Sequence, residues 1–154
     1  MLDHIEKFEP VIYMRNTLEE IKNICQMMAD KFAESDIGKK ALASVWHKAE
    51  YDFRSRLTLK DGTYRIIKGS IDLVFENPDG TYTIVDYKTN QELKPEIYIN
   101  QLACYRMALG QMLNIGPEKI SCSLYYLRFN KEADITKETE NADLSSIVLR
   151  TEEK

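Results

Sequence analysis

No apolar run in this chain approaches the ~20 residues that a membrane-spanning helix needs. The opening residues, Met1-Leu2-Asp3-His4-Ile5-Glu6-Lys7, lack the basic start and apolar core of a secretory signal. A cytoplasmic location with no membrane partner is the expectation. Cysteine is scarce: Cys25, Cys104 and Cys122 are odd in number, widely spaced and set in apolar patterns, so they read as buried thiols rather than disulfides or zinc ligands. A Gly-x-x-x-x-Gly-Lys-Ser/Thr loop is missing too, because Gly38-Lys39-Lys40 has neither the first glycine nor the hydroxyl. A motor driven by ATP through such a loop is therefore not part of these residues. There is no internal repeat, and an excess of positive charge is also absent, the net charge being -4.

The distribution of charge says more than its sum. Between His47 and Lys68, six cations (Lys48, Arg54, Arg56, Lys60, Arg65, Lys68) face three anions (Glu50, Asp52, Asp61). From Lys131 onward seven acidic residues face four basic ones. A polyanion would approach the first segment and avoid the second; the alternative is a solvated hairpin with ordinary surface charge. At 154 residues, 44% hydrophobic and 30% charged, the chain reads as one soluble globular domain with a sizeable core.

Thr17-Leu18-Glu19-Glu20 is a capping box, with Thr17 as N-cap, and Leu18, Ile21, Cys25, Met28 and Phe32 follow at helical spacing. Ser35-Asp36-Ile37-Gly38 should end that helix, with a shorter one over residues 39–43. Strand-like alternation from Val45 to Leu59 closes on Lys60-Asp61-Gly62, and strands over residues 64–76 and 81–89 flank Pro78-Asp79-Gly80. Pro95 opens a second long helix with a stripe of Tyr98, Leu102, Tyr105, Leu109 and Met112, which ends near Asn114. A last strand covers residues 119–130, and residues 131–154 form a charged tail with partial disorder or one short element. The order is helix, three strands, helix, strand: an α/β chain.

The chemistry concentrates in Gly69-Ser70-Ile71-Asp72-Leu73-Val74-Phe75 and Ile84-Val85-Asp86-Tyr87-Lys88-Thr89. Alternation sets Ile71, Leu73 and Phe75 on one face of the first strand and Asp72 and Val74 on the other, while Asp86 and Lys88 share a face of the second. The tight turn between the strands can bring Asp72, Asp86 and Lys88 together. Two carboxylates near a sheet core repel and are costly to desolvate unless a cation lies between them, and oxygen donors favour a hard ion. Metal, bound water and an ammonium are the parts needed to attack a phosphodiester. Singly, each of the three would read as an ordinary ion-paired strand residue.

Together with Glu50-Tyr51-Asp52-Phe53 upstream and Tyr98, Gln101, Leu102 and Tyr105 downstream, this pattern resembles the PD-(D/E)XK nuclease superfamily, and specifically the RecB/AddA-type C-terminal nuclease domain of bacterial helicase-nucleases. The match runs from about Ile37 to Asn130, with Asp52 standing where the family's Glu-x-Pro-Phe has proline. The resemblance implies a restriction-endonuclease-like core with a mixed central β-sheet flanked by helices, within a nuclease domain over residues 1–130 whose core is about 17–130. It implies that Asp72, Asp86 and the main-chain carbonyl of Tyr87 hold Mg²⁺ or Mn²⁺, that Lys88 orients water, and that Gln101 and Tyr105 border the site. His4 is a candidate further ligand and Glu50 another, with a structural or substrate-side role as its alternative. Arg54, Arg56, Lys60 and Gln101 are the candidate DNA contacts. Tyr98 is read as a packing or rim residue, His47 as a satisfied polar residue and Trp46 as core. Relatives with an iron–sulfur cluster carry four cysteines, so no such cluster is expected here. DNA is the implied partner, with a helicase motor on the same full-length chain or on a partner subunit, in double-strand break repair and recombination. The competing readings are a catalytically silent nuclease-fold module that binds DNA or a partner, and a stand-alone phage- or restriction-type nuclease.

Overall fold

The computed structural model describes residues 18–146. Helix α1 (Leu18–Glu34) carries Glu19 and Glu20 in its first turn, where acidic groups face the positive end of the helix dipole. It buries Ile21 and Cys25, while Met28 and Phe32 pack against the sheet; Leu18, the first residue of the anticipated stripe, is exposed. Thr17 lies outside the described residues. Helix α2 (Asp36–Ala43) starts earlier than the expected 39–43: Ser35 is its N-cap, accepting the Gly38 N–H at 3.1 Å, and Gly38 sits inside the helix. The Ser35-Asp36-Ile37-Gly38 signal thus ends one helix and caps the next.

Strands β1 (His47–Thr58), β2 (Tyr64–Glu76), β3 (Tyr82–Lys88), β4 (Ile120–Tyr126) and β5 (Lys131–Asp134) form one mixed sheet in that order. Only β3 and β4 are parallel, as their long helical crossover requires. At the β2–β3 turn Gly80 has φ 85, a left-handed conformation that a Cβ would strain, and Asp79 braces the turn by accepting the Thr81 N–H at 3.0 Å. Pro95 opens a 3₁₀ turn (Pro95–Tyr98) leading into α3 (Ile99–Leu113), which Asn114 ends in the left-handed region.

The sheet is covered on both faces. On one side α3 seats Leu102 and Leu109 against Phe53, Val74, Ile84 and Leu124; on the other, α1 and α2 cover Leu73, Phe75, Val85 and Tyr125. Burying each such aliphatic or aromatic side chain contributes on the order of 1.5–3 kcal/mol. Gln111 fixes α3 along the β1 edge: its amide accepts the Arg56 N–H at 3.1 Å, donates to the Arg56 carbonyl at 2.8 Å and bonds the Ser55 hydroxyl.

The sheet continues past residue 130. Strand β5 pairs antiparallel with β4, and α4 (Thr136–Glu140) follows. Ile135 and Thr139 are buried, and the buried Arg106 reaches from α3 to the Ile120 and Pro117 carbonyls and to Glu140 at 3.3 Å. Residues 131–140 thus carry two elements where at most one short element was expected, because a few inward-facing side chains suffice on a sheet edge. Cys25 and Cys122 are buried and Cys104 half-buried, all as free thiols.

Candidate metal and phosphodiester site

The β2–β3 ladder runs from Glu76↔Tyr82 to Leu73↔Val85 and stops. One step further the register would place Asp72 opposite Asp86. Instead the strands part, and the Asp72 carboxylate accepts the Tyr87 N–H at 2.9 Å in place of the lost ladder bond. On the other side of β2, the β1 register skips the step between Ala49↔Leu73 and Tyr51↔Ile71. That step belongs to Glu50, whose φ of 49 is left-handed and costs a non-glycine residue roughly 1–3 kcal/mol. Asp72 therefore sits between two interrupted ladders.

This interruption overturns the strict alternation expected of β2. Ile71 packs with Val74 on the α3 side, whereas Leu73 and Phe75 face α1 and α2. The switch of faces falls at the acid.

Asp86 is buried beneath α3, and its Oδ2 lies 2.6 Å from the Lys88 ammonium. Burial, and to a smaller degree the Asp72 charge, push the Asp86 carboxyl up to about 6 although Lys88 pulls it down. Lys88 Nζ donates to Gln101 Oε1 at 3.0 Å, and Gln101 Nε2 donates to the Tyr105 hydroxyl at 3.0 Å. Burial, followed by the Asp86 charge, pushes the Tyr105 hydroxyl up to about 12, so it remains a protonated donor. Tyr105 in turn meets the Phe53 ring edge-on at 5.5 Å. Phe53 lies opposite Gly69, where a Cβ would come within 2.8 Å of the ring. The phenylalanine and the glycine of the two sequence motifs are thus one contact.

The structure brings Asp72, Asp86, Lys88, Gln101 and Tyr105 together. It adds Tyr98, whose ring lies 4.1 Å from Lys88 Nζ. The sequence marked Tyr98, one turn before Gln101, as a packing or rim residue, and its ring lies at the rim of the site against Lys88. Glu50 and His47 are exposed, and Trp46 is partly buried between Tyr51 and Tyr82. Arg54 and Arg56 are exposed on β1, and Lys60 pairs with Asp143 at 3.3 Å. His4 lies outside the described residues.

The donor set suits a hard divalent ion. Two carboxylates meet where the strands part, one of them buried and raised, and a cation between them would offset both the burial and their mutual repulsion. Among the described residues no group of three or more His, Cys, Asp or Glu is arranged to hold a metal ion by itself.

A mixed sheet with helices on both faces is thus split at paired acids beside a lysine. The family model of the PD-(D/E)XK nuclease superfamily matches residues 3–152, and the chain belongs to that superfamily. Among curated proteins it is similar to an ATP-dependent helicase/nuclease subunit of Bacillus cereus (strain AH820), with 29% identity over 132 residues, covering 71% of this chain and 10% of that protein. The protein of the same name from Bacillus mycoides (strain KBAB4) is 29% identical over 141 residues, covering 77% and 11%. That of Lysinibacillus sphaericus (strain C3-41) is 29% identical over 113 residues, covering 66% and 9%. The chain spans about a tenth of the length of these relatives.

Proposed function

We propose that this chain is a divalent-metal-dependent DNA nuclease of the RecB/AddA type, an exonuclease acting in the cytoplasm with a helicase motor in double-strand break repair and recombination. The observation that carries the reading is the parting of β2 and β3 at Asp72 and Asp86 with Lys88 held in place beside them. Names of the relatives, which are helicase/nuclease subunits, support the helicase link. No helix of the described residues is long and apolar enough to cross a membrane.

Asp72, Asp86 and the main-chain carbonyl of Tyr87 would hold Mg²⁺ or Mn²⁺. When bound, such an ion polarises a phosphate and makes its water a stronger nucleophile near neutral pH. Lys88, already desolvated and pointed by Asp86, Gln101 and the Tyr98 ring, offers a positive charge and a proton donor to the phosphate as negative charge builds on it. Gln101 holds the ammonium, and Tyr105 holds Gln101. The intact set of acids and lysine favours catalysis over a silent binding module.

The test is digestion of linear single- and double-stranded DNA with and without Mg²⁺. The wild type should cut only with metal, and Asp72→Ala and Asp86→Ala should each abolish cutting while remaining folded by circular dichroism. Cutting by either folded variant would refute the assignment.

A further inference from the structure

The end of β3 that carries Asp86 and Lys88 is supported chiefly from one side. Its ladder with β2 stops at Val85, and beyond it the Asp72–Tyr87 bond stands in at 2.9 Å. On the other side β4 stays paired through Asp86↔Leu124, Tyr87↔Tyr125 and Lys88↔Tyr126, and the Leu127 N–H donates to the Lys88 carbonyl at 2.9 Å. There the ladder ends, because the Phe129 N–H turns back to the Tyr126 carbonyl at 3.2 Å and the chain reverses into β5. A side chain takes over: Arg128 Nε donates to the Thr89 carbonyl at 2.5 Å. Arg128 is half-buried, so water competes little for that carbonyl. Thr89 is also where the chain leaves the sheet for the turn of Tyr98 and the helix of Gln101. Both of those side chains meet the Lys88 ammonium, the ring centroid at 4.1 Å and the amide oxygen at 3.0 Å. The peptide that Arg128 pins therefore lies between Lys88 and two of the groups that aim it.

We propose that Arg128 is a positioning residue for Lys88, fixing through the Thr89 carbonyl the spacing between the lysine and its Tyr98 and Gln101 partners. The inference rests on the nuclease reading above and adds to it a residue that no motif of the sequence marks. A hydrogen bond from an ionised donor is short and roughly twice as strong as a neutral one, which suits a single contact that must replace a ladder. The planar guanidinium also fixes the direction of the bond, as a flexible ammonium would not. Lysine is a long side chain with many rotamers, so its aim depends on the backbone that carries it and on the groups that receive it. A displacement of about 1 Å between them can cost about a hundredfold in rate. With its Nε committed to a main-chain carbonyl, Arg128 acts on the reaction through the lysine.

Two measurements on the full chain test this, one of them independent of cutting. In the first, acetylation of Lys88 by limiting acetic anhydride is followed by mass spectrometry in EDTA, with the exposed Lys48 as reference. Arg128→Gln should raise the Lys88 rate by about fivefold or more, the equivalent of one lost hydrogen bond, and leave Lys48 unchanged. In the second, cleavage of a fluorescent oligonucleotide is measured in a double-mutant cycle with Lys88→Ala. Arg128→Gln should lower kcat by about ten- to hundredfold with KM held within about twofold, and in the Lys88→Ala background it should change the rate by less than about twofold. A merely structural arginine would cost the same factor in both backgrounds. That result, or unchanged Lys88 acetylation, overturns the proposal while metal-dependent cutting by the wild type leaves the nuclease reading standing. Faster Lys88 acetylation in the variant of a wild type that does not cut leaves the Arg128 hold on Lys88 standing and sinks the nuclease reading. Should circular dichroism show Arg128→Gln to be unfolded, Arg128→Lys carries the same comparisons, since lysine keeps the charge but places a carbon where arginine has Nε.

Discussion

Asp86→Asn should make the metal-free protein more stable at neutral pH, although it removes an ion pair. The folded Asp86 carboxyl sits at about 6 against an ordinary 3.8, so protonated Asp86 fits the fold better than ionised Asp86. Each tenfold change in proton affinity corresponds to about 1.4 kcal/mol, so ionising Asp86 costs the metal-free fold up to about 3 kcal/mol. Asparagine reproduces the neutral carboxyl. It also leaves Lys88, whose side chain is 15% exposed, without its 2.6 Å partner. The folded value of about 6 already includes the pull of Lys88 on the carboxylate, so the broken pair takes nothing further from the gain. The net gain is up to about 3 kcal/mol, or roughly 6–12 °C in melting temperature for a domain of this size.

The sign follows from the raised value. Stability contributed by protonated Asp86 is fully present below about pH 4 and is lost as pH rises through about 6. Urea denaturation in EDTA from pH 4 to 8 should therefore show wild type and variant converging at the acid end and separating above pH 6. Mg²⁺ at about a thousandfold over its dissociation constant should reverse their order at pH 7.5, since about 4.1 kcal/mol then accrues to the form that binds it. A variant no more stable than wild type in EDTA at pH 7.5, or a wild type indifferent to Mg²⁺, would refute the reasoning.

Lys88→Ala should lower the cleavage rate by about two to four orders of magnitude, the range for a positioned acid or electrostatic group. Oligonucleotide affinity in Ca²⁺ should stay within about twofold; a normal rate with weak binding would make the lysine a backbone clamp instead. Gly69→Ala should destabilise the fold by about 1–3 kcal/mol, because the new methyl meets the buried Phe53 ring at 2.8 Å and 2.9 Å. Urea melts within 0.5 kcal/mol of wild type would show that the ring moves aside freely.

Local rules made much of this molecule legible in its sequence. The limits of β2 follow from turn residues on each side, and the Ser35 signal and Pro95 locate the C-terminal end of α1 and the start of the 3₁₀ turn before α3. These are short-range effects of backbone sterics and side-chain period, which one segment can express alone. Asp72, Asp86 and Lys88 were legible as a group because one tight turn relates them. What the fold alone decided is non-local. Where β2 and β3 part, and that Ile71 changes sides while Glu50 turns left-handed, depends on three strands competing for register at one step. That a charged stretch becomes β5 depends on an edge of β4 left open to accept it. That Tyr98 covers Lys88, and that Lys60 is drawn to Asp143 while Lys68 stands open beside Arg54, depends on helices and loops meeting in space. No period along the chain encodes such meetings, because the partners lie tens of residues apart and only packing brings them within reach.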